Sequence, residues 1–250
     1  MSILHTERKF EDEVCDYLSC NGWLYKEGDA ENYDRELALY SPDLIAWVQE
    51  AFPKTWTVLE GEHGSDAKDV LLKRVRDQLN KVGTLDVLRH GVGVRDLPND
   101  LKLAQFKTAF GADEIRRCYQ LNRLRVVRQV KYSIHNEKCI DLVLFLNGIP
   151  VATVELKTDN TQNIKDAIYQ YKKDRDPKPR GQSSEPLLTF SSGALIHFAV
   201  SNSEVQMSTK LEGFKTVFLP FNRGSNPGGK DCGRGNPLME GHQTSYLWEE

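Results

Sequence analysis

Apolar residues along this chain follow two rhythms, and the switches between them mark its elements. Helical spacing comes first: Phe10, Val14, Tyr17 and Leu18 share one side of residues 6–20, and Asn21-Gly22 supplies the stop. Ser41-Pro42-Asp43 opens a second helix to about residue 51, and Ser65 caps a longer one carrying Val70, Leu71, Val75, Leu79 and Val82. A loop is expected over residues 91–98. Strand-like runs follow at 101–110 and 124–133, the latter reading Leu-Arg-Val-Val-Arg-Gln-Val-Lys-Tyr-Ser. Residues 139–157 then form two apolar strands around Asn147-Gly148, a strong hairpin signal. Polar residues 158–163 cap a helix with Ile164, Ala167, Ile168 and Tyr171 at i, i+3, i+4 and i+7, and further strands are expected at 194–201, 204–210 and 215–220. The pattern predicts an α/β fold, a mixed sheet with helices packed on it.

The hairpin carries the chemistry. Strands buried on both faces read as nearly continuous apolar runs, so Asp141, Glu155 and Lys157 stand out as its three charged side chains. Two carboxylates brought together call for a cation, and Mg²⁺ takes one or two carboxylates while keeping water and phosphate oxygens as its other ligands. Lys157, two residues beyond Glu155, shares its strand face and can orient an attacking water. The spacing reads as metal-dependent phosphodiester hydrolysis.

Register decides whether the two acids can meet. A plain two-residue loop at Asn147-Gly148 pairs Leu146 with Ile149 and puts Asp141 opposite Val154, on the face away from Glu155. A three-residue loop, with Gly148 left-handed as a bulge, pairs Phe145 with Ile149 and places Asp141 diagonally across from Glu155. A bulge elsewhere in the second strand serves equally.

Composition adds bounds. The chain has 250 residues, 39% apolar and 28% charged, with a net charge of −3, as an ordinary soluble protein does. Five scattered cysteines form no CxxC pair, and the N-terminus carries no signal or transit pattern, so a cytoplasmic protein with reduced thiols is expected. Basic residues cluster on both sides of the hairpin: Arg125 and Arg128 before it, Lys172, Lys173 and Arg175 after it are candidates for DNA contact, although solvated faces are often equally basic. Glu7, in the first predicted helix, is a candidate accessory acid beside the bland reading of a helix-dipole charge, and Glu11 a weaker one. Gln170 reads as a surface glutamine or as a residue orienting a catalytic group. A lone His197 in an apolar strand reads as a core residue. Gly228-Gly229-Lys230-Asp231 lacks the Ser or Thr of a P-loop.

The order Asp141, Glu155-Leu-Lys157 and a following Gln-bearing helix resembles the PD-(D/E)XK nuclease superfamily, a restriction endonuclease-like mixed β-sheet core flanked by helices. Asn122-Arg-Leu-Arg, Asp141-Leu-Val-Leu-Phe-Leu-Asn-Gly-Ile-Pro and Val154-Glu-Leu-Lys are similar to the N-terminal nuclease region of the R subunits of type I restriction endonucleases. So are Thr6-Glu-Arg-Lys-Phe-Glu, Phe218-Leu-Pro-Phe-Asn-Arg-Gly, Gly235-Asn-Pro and Thr244-Ser-Tyr-Leu-Trp-Glu. The resemblance implies Mg²⁺-dependent cleavage of double-stranded DNA without sequence specificity of its own, Mn²⁺ being a substitute, in defence against foreign DNA. It implies specificity (S) and methyltransferase (M) subunits as partners. ATP enters only through a translocase domain, expected to follow a nuclease domain at 1–222 and a Gly/Pro-rich linker at 223–250. By this resemblance Asp141, Glu155 and the backbone carbonyl of Leu156 hold the metal, Lys157 serves the water, and Gln170 assists. Family members often carry Gln-x-x-x-Tyr on that helix, whereas here Asp174 stands four residues after Gln170, so the glutamine transfers and the tyrosine does not. The alternative is a degenerate nuclease fold used to grip DNA or dock subunits.

Overall fold

In a computed structural model, residues 3–93, 100–108, 112–158, 162–201 and 204–221 are described. Helix α1 (Ile3–Cys20) buries Phe10, Val14 and Leu18 as its spacing predicts. After it come β1 (Tyr33–Asp34), β2 (Leu39–Tyr40), α2 (Ser41–Ala51), α3 (Pro53–His63), α4 (Ala67–Val82), α5 (Thr84–His90) and α6 (Asp113–Gln120). The sheet strands are β3 (Leu124–Lys131), β4 (Cys139–Leu146), β5 (Ile149–Leu156), β6 (Ile196–Val200), β7 (Val205–Ser208) and β8 (Leu219–Pro220), with α7 (Ile164–Asp174) between β5 and β6. In space the sheet runs β3-β4-β5-β6-β7-β8. Among the described strands only β5 and β6 pair parallel, and α7 makes the crossover that a parallel pair requires.

One sheet face buries Val126, Leu142 and Val154 against Phe10, Val14 and Leu18 of α1. Each such side chain contributes about 1.5–3 kcal/mol on burial, so the three α1 residues suffice to seat the helix. The opposite face receives α7, whose Ala167 packs on Ala199 and whose Tyr171 ring lies 5.8 Å from the His197 ring. A capping box on Asn163 and Asp166 fixes where α7 begins. His197 is a satisfied core residue, hydrogen-bonded through Nδ1 to the Thr153 hydroxyl at 2.7 Å, and burial holds its pKa down at about 3.

One expected strand does not form. Leu101 and Leu103 are buried, yet residues 101–108 form no strand: Leu101 makes one isolated bridge to Val92, and the Lys102 carbonyl accepts a hydrogen bond from Trp47 Nε1 at 3.0 Å. The alternation there reflects packing against the helical layer rather than a sheet. The expected loop at 91–98 and the linker at 223–250 lie wholly or largely outside the described residues.

The hairpin tip is buried, unlike most Asn-Gly turns. Asn147 is 0% exposed; its Oδ1 accepts from Arg123 N at 2.6 Å and its Nδ2 donates to the Leu103 carbonyl at 2.9 Å. Gly148, at φ +81°, lies against the start of α2, so a Cβ there would meet the Tyr40 carbonyl at 2.4 Å and the Leu44 nitrogen at 2.8 Å. Gly181 has a similar φ of +77° with nothing within 4 Å. Gly181→Ala is therefore expected to cost about 1–2 kcal/mol of left-handed strain alone, and Gly148→Ala clearly more, because the backbone must also move. Paired urea melts compare them; equal losses would show that the turn is not held against α2.

Candidate active site

Where the register shifts decides what the hairpin presents. Leu146 pairs with Ile149, and Asn147 at φ +50° followed by Gly148 at +81° makes a plain two-residue turn of type I′ character. The three-residue loop expected from the sequence does not form. The extra residue lies in the second strand: Phe145 pairs with Pro150 but Leu144 with Ala152, leaving Val151 as a bulge. Beyond it Leu142 pairs with Val154, a register that continues to place Asp141 directly across from Glu155 rather than on the diagonal.

The acids differ in their surroundings. Asp141 is half-buried and its Oδ2 accepts the Leu156 N–H at 2.7 Å. Glu155 is 0% exposed; its Oε1 accepts from Arg175 Nε at 2.6 Å, while its Oε2 is buried with no hydrogen-bond partner among the described residues. Burial first, then the Asp141 charge, push the Glu155 carboxyl up to about 8 against the pull of Arg175. Burial likewise raises Asp141, with the Leu156 N–H and Lys157 acting the other way.

A proton held more tightly in the folded state has a predictable effect. Stabilisation by protonated Glu155 is full below its ordinary value of 4.5 and is lost as pH rises through about 8. From about one unit above the ordinary histidine value of 6.5, His197 is neutral folded or unfolded, which isolates the carboxyl. Metal-free protein is expected to lose stability between about pH 7.5 and 9 in urea melts, and Glu155→Gln to flatten that fall; an unchanged slope in the variant would assign it to other groups.

A cleft of about 720 Å³ opens over these strands, with Asp141, Lys157 and Gln170 in its lining together with Glu7, Glu11 and Gln129. Glu7 of α1 reaches Lys157 Nζ at 3.3 Å, and the two make an ion pair. Gln170, four residues before Asp174 on α7, faces the same cleft. The structure thus gathers Asp141, Lys157, Gln170 and Glu7 at one opening, with Glu155 beneath.

The basic candidates divide. Arg125 forms ion pairs with Asp29 and Asp43 and stacks over Tyr40, and Arg128 pairs with Glu11 and Asp12. Arg175 is 4% exposed, bound to Glu155 and through Nη2 to the Cys139 carbonyl at 2.6 Å. The fold engages these three arginines, expected as DNA contacts, with carboxylates distant in sequence, although Arg128 also lines the cleft. Lys172 and Lys173 lie in the last turn of α7, with Lys173 exposed.

One neighbour of the site carries no signal in the sequence. Gln129 of β3, opposite Asp141 in register, adopts φ +52°, a left-handed conformation that strains a residue other than glycine. Its Nε2 donates to Glu11 Oε1 at 2.8 Å. Glu11 in turn is raised in pKa by burial and by Asp141, with Arg128 opposing.

The donor set fits a hard divalent ion: a buried carboxylate oxygen lacks any partner, and a second acid stands across from it. Among the described residues no group of three or more His, Cys, Asp or Glu side chains is placed to hold a metal. Two carboxylates suit Mg²⁺, which retains much of its water. The Leu156 amide is already bonded to Asp141; its carbonyl remains the candidate third ligand.

The type I restriction enzyme R protein N terminus is the family whose sequence model matches residues 11–216. The chain belongs to that family. The match spans the hairpin, α7 and the sheet as far as residue 216, and the mixed sheet with flanking helices is a restriction endonuclease-like core. No match was found among curated proteins or among solved structures. Within this R protein N terminus, no described helix is long and apolar enough to cross a membrane.

Proposed function

We propose that this R protein N terminus is an Mg²⁺-dependent nuclease that cuts double-stranded DNA without sequence specificity of its own. The observation that carries it is the unpartnered, buried Glu155 Oε2 across from Asp141, with Lys157 two residues farther along the strand at the mouth of the cleft. Asp141 and Glu155 would hold the ion, with the Leu156 carbonyl as a further oxygen. When bound, Mg²⁺ supplies Lewis-acid polarisation of the scissile phosphate and makes water easier to deprotonate. Lys157 orients that water and offsets charge on the phosphate. Glu7, in contact with the ammonium, holds it in position as an accessory acid. Arg175 fixes the Glu155 carboxylate so that one oxygen is left for the ion. Gln170 lines the approach and assists by hydrogen bonding. Lys172 and Lys173, with Arg128 in the cleft lining, are the DNA-contact candidates, and cleavage would be directed by M and S subunits and by an ATP-driven translocase in the cytoplasm.

Calorimetric titration with Mg²⁺ or Mn²⁺ tests the reading. A site is expected in the wild type and absent from Asp141→Asn. A wild type without a metal site would favour a degenerate nuclease fold that docks subunits or DNA.

A further inference from the structure

The two buried arginines of the described residues are treated very differently. Arg175 has Glu155; Arg76, on α4 and 5% exposed, is within ion-pairing distance of no carboxylate among the described residues. Its Nη1 donates to the Leu37 carbonyl at 3.1 Å, and its Nη2 to Asn80 Oδ1 and to the Ser192 carbonyl, both at 2.7 Å. Its Nε is buried with no partner among the described residues. Partial charges on carbonyl and amide oxygens do not neutralise a guanidinium taken out of water, and burial accordingly pulls its pKa down. The nearby buried acid Glu185 is committed elsewhere, accepting from the Ser133 hydroxyl and from Ile134 N.

Arg76 also lines a pocket of about 360 Å³ between α4 and the segment before β6. Asn80, Ser184, Thr189 and Ser192 contribute hydroxyl and amide groups to it, and the pocket shares no lining residue with the catalytic cleft. Thr189 donates its hydroxyl to the Glu185 carbonyl, whereas the Ser184 and Ser192 hydroxyls have no hydrogen-bond partner among the described residues. A guanidinium without a carboxylate partner, in a pocket lined by hydroxyl-bearing side chains, matches the oxygens of a tetrahedral anion. Glu36 is the one carboxylate in the lining; it is exposed and makes no ion pair with Arg76.

We infer that the Arg76 pocket is a binding site for a small free phosphate-class oxyanion, separate from the nuclease cleft. The anion supplies the missing counter-charge, Arg76 holds it, and the Ser184 hydroxyl donates to it. Glu36 at the rim opposes it and limits affinity.

Metal-free protein is titrated with inorganic phosphate at constant ionic strength, chloride serving as the control, with heat and melting temperature as readouts. Phosphate is expected to raise the melting temperature of the wild type and chloride not to. Arg76→Gln should weaken binding by at least about tenfold, and Glu36→Gln should tighten it. Should Arg76→Gln fail to fold, Ser184→Ala and Glu36→Gln still move affinity in opposite directions. No phosphate response in the wild type, or an equal response in Arg76→Gln, overturns the inference. A short DNA duplex forms the last arm: if duplex binding depends on Arg76 while phosphate has no effect, the pocket serves a DNA backbone and the inference fails.

Discussion

Supercoiled plasmid incubated with Mg²⁺ is expected to be nicked by the wild type and left intact by Asp141→Ala, Glu155→Ala and Lys157→Ala. The loss should be about 10³-fold or more, on the scale of a lost electrostatic contribution of several kcal/mol to phosphoryl chemistry. The three variants are not equivalent, which sharpens the test. The acid variants should lose metal binding and cleavage together. Lys157→Ala keeps both carboxylates and should still give a calorimetric metal signal while failing to cut. Asp141→Ala has a further signature: the Asp141 charge is the second cause of the raised Glu155 carboxyl, so its removal should stabilise the metal-free protein. Cleavage that persists in all three variants would refute the nuclease assignment to this site. The assay is run on the protein alone and in the restriction complex proposed above.

Arg175→Ala should be the most damaging single change to the fold near the site. It leaves Glu155 at 0% exposure with neither oxygen partnered, and breaking one side of a buried pair costs about 3–5 kcal/mol. It also strips the Cys139 carbonyl of its donor and removes the guanidinium 5.4 Å from the Tyr132 ring. The deficit has a pH signature. Glu155 can take up a proton instead of bearing an unpaired charge, so urea melts should show a modest loss at pH 6 and the full loss at pH 9. Arg175→Lys should recover part of it, since an ammonium restores the charge without the two-pronged geometry. A loss independent of pH would mean that packing, not charge, is what Arg175 supplies.

Much of the architecture was legible because periodic segments announce themselves. The α1 stripe of Phe10, Val14 and Leu18, the bounds of α2, the capped start of α7 and strands β3 to β5 all follow from spacing and end signals. Helix α3 was missed because it buries only Trp56 and Leu59, too few for a stripe, and α6 because it buries only Cys118. The 101–108 segment misled because alternation records burial, and burial under helices looks the same as burial in a sheet. At the site, the identities of Asp141, Glu155 and Lys157 stood out against their apolar surroundings, but the fate of the basic residues did not. Whether Arg175 meets solvent or Glu155 depends on a helix crossing over two strands, and no local signal records that. The left-handed Gln129 is equally silent, since nothing in Val-Val-Arg-Gln-Val distinguishes it from an ordinary strand residue.

The Val151 bulge has a consequence for how such chains can vary. In a hairpin closed by two residues, partners facing each other are separated by odd numbers of positions, whereas Asp141 and Glu155 are fourteen apart, an even number, and the bulge reconciles the two. Relatives that keep this chemistry can therefore lengthen or shorten the hairpin by two residues at little cost to the site. A change of one residue must be matched by gaining or losing a bulge, so parity, more than length, is the quantity selection must hold fixed between the two acids.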